Sequence, residues 1–77
     1  MREMIEYLVK SLVEHPEEVI VTERQEGEEN VLIEVKLSPD DFGKIIGKSG
    51  NTINAMRTLL QAAASSHRKH ARLEVLQ

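Results

Sequence analysis

The stretch that decides the fold is Gly43-Lys44-Ile45-Ile46-Gly47-Lys48-Ser49-Gly50, written GKIIGKSG. Its Gly-Lys-Ser segment is typical of the phosphate loop of nucleotide hydrolases, Gly-x-x-x-x-Gly-Lys-Ser/Thr. That pattern needs a glycine at position 42, where the sequence has Phe42. The loop should also follow a buried strand directly, whereas a short helix is predicted here. The spacing and the context therefore argue against a nucleotide hydrolase.

The same stretch contains Gly-Lys-Ser-Gly, a Gly-x-x-Gly loop behind two isoleucines. Glycine lacks a Cβ, so it adopts positive φ and lets another backbone approach closely. The loop leads into the N-terminus of the following helix, whose free N–H groups attract phosphate. Two glycines in a turn between helices are also common for purely structural reasons, so the surrounding elements decide what the loop indicates.

Those elements are predicted from hydrophobic periodicity and turn residues, and they give the order α-β-β-α-α-β. Ser38 is expected to cap the second helix at Pro39, with Asp41 completing a capping box. The result is an α+β domain in which three helices cover one face of a three-stranded sheet. The predicted spans are helix 1–13, strand 19–22, acidic turn 26–30, strand 31–37, helix 38–46, helix 51–67 and strand 72–76.

Buried residues are predicted from the same periods. In the second strand Val31, Ile33, Val35 and Leu37 should face one side. Tyr7 and Phe42, the only aromatic residues, are assigned to the core or to helix packing. The first and third helices are expected to bury Met1, Met4, Ile5, Leu8, Val9, Leu12 and Val13, and Ile53, Met56, Leu59, Leu60 and Ala63.

The charges are unevenly distributed along the 77 residues, whose net charge is −3. Residues 1–42 contain 12 acidic and 4 basic side chains, whereas residues 43–77 contain 6 basic side chains and 1 acidic one. A basic second half is compatible with a polyanionic partner and equally with a dipolar surface in water. The absence of cysteine excludes disulfides and thiolate metal sites.

The run Ile45-Ile46-Gly47-Lys48-Ser49-Gly50, followed by Asn51-Thr52-Ile53, resembles the signature of the KH domain. KH domains clamp a few nucleotides of single-stranded RNA or DNA with this loop. A leading helix and strand match the type II arrangement, in which two of the three strands are parallel. The resemblance to small stand-alone bacterial KH proteins covers nearly the whole chain. It implies one domain over residues 1–77, with a core motif at about 31–76 and the glycine loop at 47–50.

The resemblance also implies which residues would contact RNA. Gly47, Lys48, Ser49 and Gly50 match the phosphate-gripping loop, and Ile45 and Ile46 match groove or core positions in the helix before it. Many relatives have a basic residue where this chain has Asn51. The acidic turn would repel RNA if it lay beside the groove, whose base side Leu73 is expected to line. The implied RNA-binding set is Lys44, Ile45, Ile46, Gly47, Lys48, Ser49, Gly50, Asn51, Asn54 and Arg57.

The function predicted from these observations is non-enzymatic binding of single-stranded RNA, or of single-stranded DNA. The resemblance implies a homodimer, or a heteromer with a larger KH-containing protein, acting in RNA regulation linked to cell growth and division. The alternative is a protein-interaction module with a KH-like fold. His67 and His70 share a helix face without an evident third ligand, so no metal or cofactor is expected. The acidic start and the lack of a long apolar run predict a cytoplasmic location and no membrane span.

Overall fold

A computed structural model describes residues 1–76 of the chain. Three helices and three strands follow the predicted α-β-β-α-α-β order. No helix among the described residues is both long enough and apolar enough to cross a membrane. The elements are α1 (Arg2–Leu12), β1 (Ile20–Glu26), β2 (Asn30–Lys36), α2 (Phe42–Ile46), α3 (Asn51–Ser65) and β3 (His70–Leu76).

The sheet has the order β1-β2-β3, with β2 in the centre. β1 and β2 form an antiparallel hairpin in which Glu26 pairs with Asn30 across a turn at Gly27. β3 runs parallel to β2, with Asn30 opposite His70 and Lys36 opposite Leu76. The predicted mixed sheet is therefore confirmed, and both strands flanking β2 are longer than the sequence pattern indicated.

The core lies between the helices and one face of the sheet. Val31, Ile33 and Val35 of β2 alternate toward this face and are at most 1% exposed. Ile5 and Val9 of α1 and Leu60 of α3 pack against them and are fully buried. Leu37 and Leu73 complete the layer, so the three helices cover a single face as predicted.

Several residues that were expected to be buried are exposed. Tyr7, Leu12 and Leu59 have 72%, 46% and 51% of their surface accessible, so the predictions for them were wrong. Leu12 and Leu59 lie at the edges of the apolar stripes of their helices, whereas Tyr7 lies on the side of α1 turned away from Ile5 and Val9. On α3 the buried face turns instead through Ile53, Met56, Leu60 and Ala64, and Ala63 is only partly covered.

The opposite face of the sheet carries charged residues around one buried leucine. Leu32 is 2% exposed although it points away from the helices. Its register partners are Arg24 on β1 and Arg72 on β3. Arg24 pairs with Glu34 at 3.7 Å, and Arg72 pairs with Glu26 at 3.0 Å. These ion pairs hold the two arginine side chains across the sheet, and their aliphatic stems account for the burial of Leu32.

Candidate nucleic-acid interface

The glycine loop joins α2 to α3 and has a conformation that depends on glycine. Gly47 has φ 77° and ψ 174°, a region open essentially to glycine alone. An added Cβ at Gly47 would overlap the side chain of Thr52 and lie 2.9 Å from its backbone nitrogen. Ser49 and Gly50 are left-handed, with φ 56° and φ 77°. The loop therefore turns sharply and keeps its backbone accessible.

The loop places a basic side chain beside an uncapped helix start. Gly50 occupies the position before α3 and supplies no side-chain hydrogen bond to the first turn. That first turn also contains no acidic residue. Lys48 is exposed and forms no ion pair among residues 1–76. Free N–H groups, the positive end of the helix dipole and an unpaired ammonium together form an anion-binding surface.

Lys44 has a different environment from Lys48. Its Nζ lies 2.8 Å from the Glu14 carboxylate and 3.7 Å from that of Asp41. The hydrogen bond that Lys44 donates to the Glu14 carboxylate, together with the opposite charges, lowers the pKa of Glu14 and raises the pKa of Lys44. A phosphate would have to compete with these carboxylates for Lys44. Lys48 is therefore the better placed of the two lysines for a phosphate contact.

Asp41 connects α1 to α2 and does not form the predicted capping box. Its side chain is fully buried and accepts hydrogen bonds from the backbone N–H groups of Glu14 and His15, each at 3.0 Å. The side chain points to the end of α1 because those two donors have no other backbone partner after the helix ends. Ser38 does accept a hydrogen bond, at 3.3 Å from the Asp40 N–H, but it caps a short 3₁₀ turn that precedes α2.

The pH dependence of stability should report the Asp41 contact. Burial by itself raises the pKa of Asp41, but the hydrogen bonds from Glu14 and His15, with the positive charges nearby, hold it below its usual value of 3.8. A lowered pKa contributes stability above the unfolded pKa, and that contribution is lost as the pH falls through the folded value. We expect Asp41→Asn to be less stable than wild type at pH 7, with the difference shrinking below about pH 3.8. Urea unfolding of both proteins across this range measures it, and a difference that does not depend on pH would contradict the assignment.

The two isoleucines of the motif occupy different environments. Ile45 is fully buried in the core, so it supports α2 from behind and cannot line a groove. Ile46 is partly buried and packs at the edge of the core. Leu73 was also expected to face bases, but its side chain is 3% exposed and belongs to the core. Leu73 contributes to the site through its backbone, since its carbonyl accepts a hydrogen bond from Arg57 Nη2 at 3.4 Å.

A groove of about 430 Å³ lies between α3 and β3. Arg57 crosses it to Leu73, and Gln61 crosses it by accepting a hydrogen bond from the Ala71 N–H at 3.3 Å. Arg57 was among the predicted site residues and Gln61 was not, although the spacing of four residues places both on one helix face. The lining residues are Arg57, Gln61, Ala71, Arg72, Leu73 and Glu74.

The remaining predicted residues lie near the loop end of α3. Asn51 is its first residue and is exposed. Asn54, one turn later, is exposed and accepts a hydrogen bond from Arg57 Nη1 at 3.3 Å. The structure therefore brings the loop, Asn51, Asn54 and Arg57 onto one surface, and Arg57 also lines the groove. Ile45 is buried and is not part of that surface.

The acidic turn lies at the far end of the groove. Glu29 accepts a hydrogen bond from the His70 N–H at 2.7 Å, and Glu26 pairs with Arg72. Because β3 runs back toward the loop from the end of α3, this places the turn beside the start of β3 and away from Lys48. His67 and His70, in the same region, belong to no group of three potential metal ligands among residues 1–76.

The helix–loop–helix unit on a three-stranded mixed sheet, in the order α-β-β-α-α-β, defines a type II KH domain. A family model described as "KhpA/KhpB, KH domain" matches residues 2–75, and the chain belongs to this family. No solved structure gave a significant match.

Curated relatives match over almost their whole length. The chain is 45% identical to the RNA-binding protein KhpA of Clostridium perfringens over 76 residues, which cover 99% of this chain and 100% of that protein. It is 43% identical to the KhpA of Chlamydia pneumoniae, covering 100% and 97% of the two chains, and 38% identical to that of Halalkalibacterium halodurans, covering 99% of each. The predicted resemblance to small bacterial KH proteins is confirmed, and this family consists of RNA-binding proteins and not of enzymes.

Proposed function

We propose that this protein binds single-stranded RNA in the groove between α3 and β3, with the glycine loop holding the RNA backbone. The observation that carries the proposal is the combination of an exposed Lys48 that forms no ion pair among residues 1–76 with an α3 start that no side chain caps. The curated relatives are RNA-binding proteins, which supports the same conclusion. The whole chain acts as one KH domain, with its core motif at about 31–76.

In this proposal the ten predicted residues divide into three roles. Lys48 and Ser49 contact phosphate through backbone N–H groups and the Lys48 ammonium. Gly47, Gly50 and Asn51 shape the surface around them, because their own N–H groups donate to the carbonyls of Gly43, Gly47 and Lys48. Asn54 and Arg57 lie further along the groove, where bases would stack or form hydrogen bonds. Ile46 borders this surface, Ile45 supports it from the core, and Lys44 contributes to the electrostatic field while it stays paired with Glu14.

One such domain makes few phosphate contacts, so we expect its affinity to be low and to fall with salt. About four nucleotides fit a KH groove, which gives little sequence selectivity from a single domain. Pairing of domains raises the effective affinity without new contacts. We therefore propose that the protein works in the cytoplasm as a homodimer or with a larger KH-containing protein, in RNA regulation.

A second function, as a protein-interaction module, is favoured by the exposure of Tyr7 on α1 and of Leu59 on α3. Both are large side chains that would lose accessible surface in a complex. Such a module would not need Lys48 or the open helix start. The two functions are therefore separated by whether RNA binds at the loop.

An NMR titration of the labelled protein with a short mixed single-stranded RNA tests the proposal. We expect shifts at residues 44–54 and along β3 that grow with RNA at low salt and weaken as salt rises. If instead no shifts occur in these segments at low salt and high RNA concentration, the groove is not the binding site, and the protein-interaction function becomes the better supported one.

A further inference from the structure

Glu14 brings a carboxylate to the helix that precedes the glycine loop, although residues 43–73 contain no acidic side chain of their own. It lies two residues after the end of α1, and its Oε1 is 2.8 Å from the Nζ of Lys44 on α2. Lys44 lies about one helical turn before Gly47, where the loop begins. An acid from a distant part of the chain therefore engages the basic side chain next to the loop.

The backbone of Glu14 is fixed, whereas its side chain is exposed. The Glu14 N–H donates to Asp41 Oδ1 at 3.0 Å, and Asp41 is fully buried. The Glu14 side chain has 74% of its surface accessible. Asp41 therefore holds Glu14 within reach of Lys44, and the Glu14 carboxylate can leave Lys44 without any change in the fold.

Glu14 is the main acceptor for the Lys44 ammonium. The other carboxylate near Lys44 Nζ is that of Asp41, at 3.7 Å, and its two oxygens already accept the N–H groups of Glu14 and His15. Lys48 forms no ion pair among residues 1–76, so the two lysines that flank the loop differ in this respect. A carboxylate at 2.8 Å offsets much of the field that Lys44 would otherwise present to an anion.

We propose that Glu14 competes with RNA phosphate for Lys44 and thereby lowers the RNA affinity of the protein. This proposal rests on the proposed function, because it requires RNA at the glycine loop. Carboxylate and phosphate oxygens are both anionic acceptors for an ammonium. A phosphate that binds Lys44 has to displace Glu14, so the lost ion pair offsets part of what the new contact contributes.

The competition also affects how binding depends on salt. Each phosphate of a single strand that a cation neutralises releases counterions and steepens the fall of log affinity with log salt by about 0.7. When Lys44 exchanges one anion of the protein for a phosphate, the carboxylate that it releases remains as an uncompensated charge beside the RNA. Glu14→Gln removes that charge and leaves Lys44 free to neutralise a phosphate.

Fluorescence anisotropy with a labelled single-stranded RNA of about eight nucleotides, measured at several salt concentrations, tests the proposal. We expect Glu14→Gln to bind about threefold more tightly than wild type at low salt, with a salt slope steeper by about 0.7. In a Lys44→Met background the same change should alter affinity by less than about 1.5-fold, because the cation that Glu14 engages is absent.

Glu17→Gln is the matched control, because Glu17 is an exposed acid three residues later whose ion-pair partner among residues 1–76 is His15 and not Lys44. It removes the same charge and should raise affinity by less than about 1.5-fold, with an unchanged salt slope. Thermal unfolding checks that each variant is folded.

Three results would overturn the proposal and leave the proposed function standing. They are unchanged RNA affinity in Glu14→Gln, an equal gain in Glu17→Gln, and a gain from Glu14→Gln that persists without Lys44. The last two would show that overall charge causes the effect. If neither the wild type nor Glu14→Gln bound RNA, the proposed function would be overturned as well.

Discussion

Replacing Lys48 and Ser49 together with aspartate is expected to lower RNA affinity at least about tenfold at low salt. The change removes the unpaired ammonium of the loop and places two carboxylates where phosphate would lie against the start of α3. The loop is exposed, so the fold should survive the change. Fluorescence anisotropy with a labelled single-stranded RNA at low and moderate salt measures the effect, and circular dichroism checks that the domain remains folded.

The chain contains its own control for this experiment. Lys10 and Ser11 form a second Lys-Ser pair, which is exposed near the end of α1. The same double change there alters the net charge equally but leaves the loop intact, so RNA binding should decrease only slightly. Equal losses in the two double mutants would show that overall charge, and not the loop, governs binding. Full binding by the loop mutant would remove the loop from the site.

Gly47→Ala is expected to destabilise the protein by about 3–5 kcal/mol. The backbone of Gly47 lies in a region that side chains rarely adopt, and the new methyl group would overlap Thr52. Removing this overlap requires the loop and the first turn of α3 to move together. A domain of this size has a free energy of unfolding of only about 4–12 kcal/mol, so the change removes a large part of it. Urea denaturation of the two proteins gives the difference.

Gly50→Ala separates the two causes of that loss. Gly50 also has φ 77°, but a Cβ there would approach nothing closer than Asn54 Nδ2 at 3.6 Å. Its cost should be limited to the left-handed backbone, about 1–2 kcal/mol. If the two substitutions proved equally costly, the contact with Thr52 would play no part in fixing the loop.

The fold was predictable because local signals agreed with one another. The alternation in β2 identified the central strand, and Pro16 and Gly47 marked where helices end. The parallel pairing of β3 with β2 came from the family resemblance, since periodicity carries no information on strand direction. The position of the loop was predictable from its glycines, because the conformation that requires glycine is set by the local backbone.

The prediction failed where a side chain's partner is distant in sequence. Asp41 fits a local capping box, yet it binds the backbone at Glu14 and His15. Lys44 was assigned to RNA because it precedes the loop, and the acid that engages it lies thirty residues earlier, at Glu14. The spacing places Gln61 on the same helix face as Arg57, but its role depends on a hydrogen bond to a strand that the helical pattern cannot reveal. Contacts of this kind depend on how the elements pack.

The parallel pairing of β3 with β2 also has a consequence for how the protein folds. Asn30 must pair with His70 before β3 can join the sheet, and α2 and α3 lie between these two residues in the sequence. Pairings so distant in sequence form slowly, whereas the β1–β2 hairpin and the helices depend on local contacts. A partly folded chain can therefore contain the glycine loop and still have only one wall of the groove. RNA binding should then appear in refolding experiments no earlier than the last cooperative step.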